Sequence, residues 1–275
     1  MDNELAGDEP TIDLVREEMR ELASAVIDAA PDASQPFGTY LFHADEPGAQ
    51  LGRYIEDTVF AEWFGNSAEL LDAEYDAYNA STYFIVILDH VRSLPAGTIR
   101  INVPSELGLK TLSDIESVWG APLDTVLAET GLAWDERLVW DVATSAVHAD
   151  YRGKATDGMI SLALYQAVVR SLRAAGARWF VCVLDMHVMR LMQEMTSAPF
   201  YPFVGVEPVR YLDSPASNAF WCDFEEYEPR LQFADPFMHG VLFRGEGIEA
   251  VVREATTYAV SQELAERFAG RVATR

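Results

Sequence analysis

Hydrophobic residues recur every three to four positions in several long stretches, the spacing that places one apolar stripe along an α-helix. In residues 158–175 this stripe is followed by Gly176, a helix stop signal, and consists of Ile160, Leu164, Ala167, Val168 and Leu172. The same spacing predicts helices over residues 10–29, 50–64, 187–195 and 247–268. Residues 105–134 are expected to form an inserted segment of helices and loops.

Short apolar runs between these helices predict β-strands. The runs cover residues 39–43, 83–88, 98–103, 138–147, 179–184, 207–212 and 218–227. The turn signal Pro95-Ala-Gly97 joins the second and third runs into a hairpin, and the unbroken run at 179–184 is typical of a strand covered on both faces. Helices alternate with strands without a low-complexity linker, which predicts a single α/β domain with a mixed sheet over residues 1–275.

Acidic residues dominate the charge of the chain: 44 Asp and Glu against 20 Lys and Arg give a formal net charge of −24. This disfavours binding to nucleic acids and to anionic membrane surfaces, because both need clustered basic side chains. The acidic N-terminus lacks the apolar core of a signal peptide, and no apolar run reaches the roughly 20 residues of a membrane span. We therefore expect a cytoplasmic protein, with Cys182 and Cys222 as free, buried thiols.

The stretch VHADYRGKATDG joins the predicted strand 138–147 to the helix that follows it. Amides at a helix start lack intrahelical partners, and together with the helix dipole they favour a bound anion. Arg152 and Lys154 add full positive charges, and residues 137–190 hold seven basic but only four acidic residues. The pattern indicates an anionic ligand; the alternative is that the arginines of the following helix only solvate its exposed face.

The segment AVHADYRGK, followed by an amphipathic helix, an apolar strand and a short helix, resembles the GNAT superfamily of acyltransferases. The resemblance covers residues 38–228 and implies an α/β fold with a GNAT-like mixed, mostly antiparallel central sheet flanked by helices, extended by N- and C-terminal helices. It also implies that a pantetheine thioester lies against the end of strand 138–147, with its phosphate groups on the turn. The residues implied in this binding are Ala146, Val147, Arg152, Gly153, Lys154, Ala155, Thr156 and Gly158.

The turn departs from the GNAT pattern at two positions where glycine or another small residue is usual, because Ala155 and Asp157 stand there. A carboxylate beside a pyrophosphate is repulsive, so Asp157 is expected to turn away, for instance to cap the following helix. Two donors stay open. Acetyl-CoA or a longer acyl-CoA brings a pyrophosphate, whereas the phosphopantetheine of an acyl carrier protein brings a single phosphate.

A second segment, EYDAYN followed later by GTIR, resembles the autoinducer (acyl-homoserine-lactone) synthases and related N-acyl amino acid synthases, a GNAT-like branch. The resemblance implies that Glu74, Asp76 and Arg100 bind the acceptor, and a guanidinium such as that of Arg100 suits bidentate recognition of a carboxylate. The branch has Asp where Asn79 stands. The alternative is a surface charge cluster that ties a loop to the sheet.

The predicted strand 138–147 departs from this branch, which carries Glu-x-Ser-Arg there, since Asp141 takes the Glu position and Thr144 the Arg position. N-acylation requires a neutral amine, so a base must remove a proton, and Asp141 is the candidate. Many GNAT enzymes protonate the departing thiol with a tyrosine on the helix after the apolar strand. That helix lacks a tyrosine here, and Tyr201 just beyond it is the candidate. The alternatives are an outward-facing strand residue for Asp141 and simple packing for Tyr201.

The sequence is thus interpreted as an N-acyltransferase that moves an acyl group from acyl-CoA, acetyl-CoA or an acyl carrier protein to a small amine acceptor. No metal is expected, because the five histidines show no ligand spacing. The rival hypothesis is a non-catalytic GNAT-fold protein that binds a ligand or partner, favoured by the departures at Asn79, Thr144 and Asp157. An open gap between the strands that end near Val147 and begin near Trp179 favours the enzyme, and a filled gap favours the rival.

Overall fold

The computed structural model describes residues 12–30, 34–132 and 134–257. Within these ranges the helices are α1 (Ile12–Ala29), α2 (Ala49–Phe64), α3 (Ala68–Tyr75), α4 (Lys110–Ser117), α5 (Leu123–Thr130), α6 (Met159–Ala174), α7 (Met186–Thr196), α8 (Phe224–Ala234) and α9 (Pro236–Arg244). The strands are β1 (Phe37–His43), β2 (Thr82–Asp89), β3 (Leu94–Asn102), β4 (Val139–Val147), β5 (Trp179–Asp185), β6 (Tyr201–Pro202), β7 (Val209–Tyr211), β8 (Ser214–Asp223) and β9 (Val252–Thr257).

The strands of the described residues form one mixed sheet in the order β6-β8-β5-β4-β3-β2-β1-β9, with β7 paired to β8. Neighbours are antiparallel except at β4–β5 and β1–β9, where the pairing is parallel. This confirms the predicted mixed, mostly antiparallel sheet. It also places β4 and β5, which flank the predicted anion-binding turn and helix, at the centre of the sheet.

One face of the sheet is covered by α6 and by the C-terminal helices α8 and α9. The predicted stripe of α6 is buried there, and Leu164 and Leu172 are completely enclosed. Truncation of such a leucine typically costs about 2–5 kcal/mol, so this stripe holds the helix, and the turn before it, firmly on the sheet. α6 ends as predicted, because Gly176 adopts a left-handed φ of 71° just beyond it.

The opposite face is covered in two parts. α1 and α2 pack over β1 and β2 through residues such as Leu22, Leu51 and Phe84. α4 and α5, which form the predicted inserted segment, pack over β4 and β5 in a separate apolar cluster that includes Ile115 and Val181. The end of α2 and the start of α4 therefore both lie beside the central strands.

The C-terminal part of the chain differs from the prediction. Residues 252–257 form β9 rather than part of a helix over 247–268, because they pair in parallel with β1 and extend the sheet beyond it. Residues 258–268, like residues 10 and 11 of the first predicted helix, lie outside the described residues. The strand predicted at 218–227 ends at Asp223, since this carboxylate accepts a 2.8 Å hydrogen bond from the Glu225 amide and starts α8.

Candidate active site

β4 and β5 are paired over only part of their length. Three residue pairs join them, residues 139–141 with residues 179–181, although the strands continue to Val147 and Asp185. Beyond the third pair the strands separate and leave a V-shaped gap in the sheet. This is the open arrangement that favours an enzyme over a non-catalytic protein of the same fold.

A β-bulge in β4 lies beside the gap. The pairing with β3 steps from Arg100↔Thr144 to Ile101↔Val142, so Ala143 has no residue opposite it. A bulge takes a peptide group out of the ladder and re-aims the neighbouring side chains. Ala143 and Thr144, at and beside the bulge, both line the gap, so the irregular stretch of β4 backbone borders the cavity.

A cavity of about 430 Å³ fills the gap and passes through the sheet. Side chains alternate along β5: Phe180 and Cys182 belong to the core beneath α6, whereas Val181 and Val183 belong to the cluster beneath α4 and α5. The cavity is lined by Phe180, Cys182 and Val183, members of both sets. It is therefore open to both faces of the sheet.

The two ends of the cavity differ in polarity. The inner compartment, on the α6 face, is lined mainly by apolar side chains: Val168, Val169, Phe180, Cys182, Met192, Phe200, Phe224 and Leu242. The outer compartment, on the opposite face, holds a cluster of polar residues with an aromatic and apolar rim: Thr144, Asp185, Tyr211, Ser214, Ser217, Phe60, Trp63, Phe64 and Leu212. The narrow passage between the two compartments is the gap between β4 and β5.

Arg152 of the predicted turn lies at the edge of the cavity. Its Nε donates a 2.6 Å hydrogen bond to the Val147 carbonyl, and one terminal nitrogen lies 3.0 Å from the Glu62 carboxylate. The guanidinium stacks 5.5 Å from the Trp63 ring, and its buried Nη2 has no partner among the described residues. Arg152 is thus held rigidly, with one donor left for a ligand.

The turn before α6 is built from left-handed residues. Gly153, Asp157 and Gly158 have φ values of 54°, 48° and 76°. Asp157 is exposed and caps nothing, since Gly158 holds the N-cap position without a side-chain hydrogen bond. The usual glycine at position 157 is thus replaced by one of the few side chains that tolerate this conformation.

The other predicted donor-binding residues lie close by. Gly153, Lys154 and Ala155 form an exposed 3₁₀ turn, and the Thr156 hydroxyl donates a 2.7 Å hydrogen bond to the Tyr151 carbonyl. The cavity is lined by Val147 at the end of β4 and by Ser161 in the first turn of α6, whereas Ala146 packs against α2. The structure therefore brings the predicted turn and the strand end together at one mouth of the gap. The binding roles of these residues stay a prediction.

Asp141 is placed away from the cavity. It is completely buried and accepts hydrogen bonds from the Thr111 amide at 2.7 Å and the Thr111 hydroxyl at 2.9 Å. Burial raises the pKa of this carboxyl to about 6. Asp141 therefore fixes the start of α4 on the sheet, and its predicted role as the base has no support from this geometry.

Arg100 is buried in an internal ion pair. Its Nε and Nη2 donate to the two oxygens of Glu56 at 3.1 and 2.5 Å, and the two side chains are only 3% and 2% exposed. The guanidinium lies between the rings of Tyr75 and Phe84, and Glu56 also accepts a hydrogen bond from the Thr144 hydroxyl. The Nε–Nη2 edge of Arg100 is thus occupied by Glu56 and is not available to a substrate carboxylate in this arrangement.

Glu74 and Asp76 lie outside the cavity as well. Glu74 belongs to a buried network with Lys110, whose ammonium donates to Glu74 at 2.5 Å, to Asp114 at 2.7 Å and to the Tyr211 hydroxyl at 2.7 Å. The network reaches the outer compartment only through Tyr211. Asp76 is exposed and accepts a 2.9 Å hydrogen bond from the Asn79 amide group. The three predicted acceptor-binding residues are therefore not brought together at the gap.

Tyr201 is also separate from the cavity. It packs on Trp221 with ring centroids 4.8 Å apart, and its hydroxyl donates a 2.6 Å hydrogen bond to Glu226. The tyrosine that faces the gap from the inner compartment is Tyr165 of α6, which hydrogen bonds with Ser145 of β4 and whose pKa burial raises to about 12. The sequence analysis did not single out Tyr165, although its position beside Leu164 in the predicted buried stripe of α6 indicated that it lies near the sheet.

Asp185 is the main polar residue that the sequence analysis overlooked. Its Oδ1 accepts hydrogen bonds from the amides of His187 and Val188 at 2.8 and 3.2 Å, which starts α7, and its Oδ2 accepts one from Ser214 at 2.7 Å. Ser217 in turn donates to Ser214 at 2.8 Å. Asp185 could have been noticed in the sequence as a carboxylate at the junction of the predicted strand 179–184 and the predicted helix 187–195.

Among the residues that the structure describes, no group of three His, Cys, Asp or Glu side chains is arranged to hold a metal ion. None of the described helices combines the length and apolar composition that a membrane crossing requires.

Comparisons with known proteins identify the fold. No model of a protein family and no curated protein sequence matches the chain. Among solved structures, FeeM, an N-acyl amino acid synthase from uncultured soil microbes, is 12% identical with a TM-score of 0.54, over 74% of this chain and 99% of that one. BjaI, a CoA-dependent acyl-homoserine lactone synthase, is 15% identical with a TM-score of 0.52, over 86% of this chain and 99% of that one. At these identities the likeness is one of fold, and it confirms the predicted resemblance.

Proposed function

We propose that this chain, which shares the fold of the GNAT-like N-acyl synthases, is an N-acyltransferase that uses a pantetheine thioester as donor and a small amine as acceptor. The observation that carries the proposal is the cavity that crosses the sheet between β4 and β5, apolar on one side and polar on the other. The fold neighbours are described as synthases of N-acyl amino acids and acyl-homoserine lactones, which supports the same class of reaction here.

The reaction joins the acceptor nitrogen to the thioester carbonyl carbon. The neutral amine attacks this carbon, the negative charge of the intermediate collects on the carbonyl oxygen, and the C–S bond then breaks. The sulfur leaves with the bonding electron pair and takes a proton, so an ammonium and a thioester yield an amide, a thiol and one released proton. We assign stabilisation of the oxyanion to backbone N–H groups at the β4 bulge, and the register shift at Ala143 beside the cavity supports this assignment.

The inner compartment suits an acyl chain longer than acetyl. It extends beneath α6 as far as Phe224, Tyr227 and Leu242, and its walls are apolar. Transfer of each methylene group from water to such a wall contributes about 0.8 kcal/mol. A donor with a medium or long chain should therefore bind more tightly than acetyl-CoA.

The turn at the start of α6 suits the phosphate end of the donor. Arg152 has a spare donor, Lys154 is exposed, and the first amides of α6 lack intrahelical partners. Because Asp157 faces solvent rather than the helix start, it does not block a phosphate, and both CoA and a carrier-protein phosphopantetheine stay compatible with the turn.

The test is acyl transfer by the purified protein. Acyl-CoAs from acetyl to palmitoyl, and the same chains on an acyl carrier protein, are offered with a panel of primary amines. Thiol release is followed with a chromogenic disulfide, and the amide is identified by mass spectrometry. The proposal expects amine-dependent thiol release with at least one donor. Donor binding by calorimetry without any amide product would instead support the non-catalytic rival, and absence of both would refute donor recognition as well.

A further inference from the structure

The polarity and charge of the outer compartment favour one class of acceptor. It lies opposite the apolar inner compartment, so an acyl chain seated under α6 leaves it free for the attacking amine. The polar groups that line it include the Asp185 carboxylate, three hydroxyls on the β7–β8 side and Thr144, and its rim is aromatic, with His187 at the exposed edge.

Three cations near this compartment are already paired with carboxylates. Arg100 is held by Glu56, Lys110 is shared between Glu74 and Asp114, and Arg152 contacts Glu62 at the turn. Among the described residues Arg152 is the Arg or Lys side chain that lines the cavity itself, and the imidazole of His187 lies at the exposed rim. A substrate carboxylate placed there would be desolvated without a dedicated cationic partner, which is costly.

Asp185 adds a fixed negative charge to the same wall. Burial opposes ionisation, but the hydrogen bonds from Ser214 and from the amides of Val188 and His187 lower the pKa of this carboxyl below its ordinary value. The carboxylate therefore stays charged at neutral pH, where it repels a second carboxylate and attracts an ammonium group by charge-assisted hydrogen bonds.

The surrounding rim suits an apolar or aromatic substrate body. Phe60, Trp63 and Phe64 approach from α2, and Leu212 faces them from the turn between β7 and β8. Leu212 and Asp213 adopt left-handed φ values of 43° and 59°, a conformation that is uncommon for a leucine. The turn is held in place on both sides, because Tyr211 is bound by Lys110 and Ser214 by Asp185 at 2.7 Å each.

We propose that the acceptor is an amine without a carboxylate, with an aromatic or apolar body, and that Asp185 binds its ammonium group in the outer compartment. This inference rests on the proposed N-acyltransferase function and narrows its acceptor. It replaces the expectation of a carboxylate-bearing acceptor held by Arg100.

The test compares acceptors that differ only by the carboxylate. Phenylethylamine, phenylalanine and phenylalanine methyl ester are offered with the best acyl-CoA donor, and so are tyramine and tyrosine. We expect kcat/KM for the amines to exceed that for the amino acids by on the order of 100-fold, because the site must bury an unpaired charge for the latter. The kcat/KM for the methyl ester should be close to that for the amine, since the ester has about the size of the carboxylate but lacks its charge.

The variant Asp185→Asn tests the residue itself. Asparagine can still start α7 with its side-chain oxygen, and its amide nitrogen can donate to the Ser214 hydroxyl oxygen, so donor binding by calorimetry and the melting temperature should change little. The KM for phenylethylamine should rise by on the order of 10-fold or more with a smaller change in kcat, and the preference over phenylalanine should shrink.

The outcomes separate the two proposals. Amide formation that is equal or faster with the amino acids overturns the acceptor inference and leaves the acyltransferase function standing. An unchanged preference in Asp185→Asn overturns the role of Asp185. No amide with any amine in the wild-type protein, despite donor binding, overturns the proposed function itself.

Discussion

The Arg100–Glu56 pair gives a sharp test of whether Arg100 stabilises the fold or binds a substrate. Both side chains are at least 97% buried, joined by two hydrogen bonds, and Arg100 is enclosed by two aromatic rings. Removal of one partner leaves a buried charge without compensation, which typically costs about 3–5 kcal/mol. We therefore expect Arg100→Met and Glu56→Gln each to lower the free energy of unfolding by about that amount.

The double variant makes the test specific to the pair. Glu56→Gln combined with Arg100→Met removes both charges and keeps an acceptor for the Thr144 hydroxyl, so its cost should be smaller than the sum of the single costs by about 2 kcal/mol or more. Urea unfolding followed by circular dichroism measures all four proteins. The reasoning is refuted if Arg100→Met unfolds within about 0.5 kcal/mol of the wild type while the acceptor KM rises, because Arg100 would then bind the substrate.

Three further predictions concern the base, the donor and the acyl chain. Asp141→Asn should retain acyl transfer. Burial raises the pKa of Asp141 to about 6, above about 3.9 in the unfolded chain, so this group lowers the free energy of unfolding as the pH rises from about 3.9 to about 6. Urea titrations at several pH values should show that the variant loses this pH dependence. Loss of transfer in a folded variant would return Asp141 to the reaction. Arg152→Gln should weaken donor binding in calorimetry by about tenfold, whereas the exposed control Arg137→Gln should not; equal effects would mean that only net charge matters. Val169→Phe should fill the inner compartment and move the preferred acyl-CoA to shorter acyl chains in kcat/KM profiles. The control Val91→Phe, at an 83% exposed position, should leave the profile unchanged. Identical profiles for both variants would mean that the acyl chain binds elsewhere.

Helical periodicity and strand runs predicted most of the sheet and its helices, because each element buries one regular stripe. The α6 stripe from Ile160 to Leu172 and the left-handed Gly176 are examples. The strand β9 was missed since its pairing with β1 joins residues more than 200 positions apart, a contact that local periodicity does not encode.

The sequence indicated which residues of the turn before α6 lie together more reliably than which residues lie together around Arg100 and Asp141. The turn with Arg152 is local, so residues adjacent in sequence stay adjacent in space. The acceptor side depends on distant partners: Glu56 neutralises Arg100 from a helix 44 positions away, and Thr111 engages Asp141 from the inserted segment. The bulge at Ala143 also interrupts the regular alternation of β4, which a local sequence pattern does not show.

The central claim is that a thioester lies between β4 and β5 with its acyl chain under α6. A crystal structure with a stable ketone analogue of a medium-chain acyl-CoA tests this directly. We expect density for the carbonyl beside Ala143, the acyl chain against Val169 and Phe180, and the phosphates near Arg152. A ligand bound elsewhere, or an acyl chain that occupies the outer compartment beside Asp185, would contradict it.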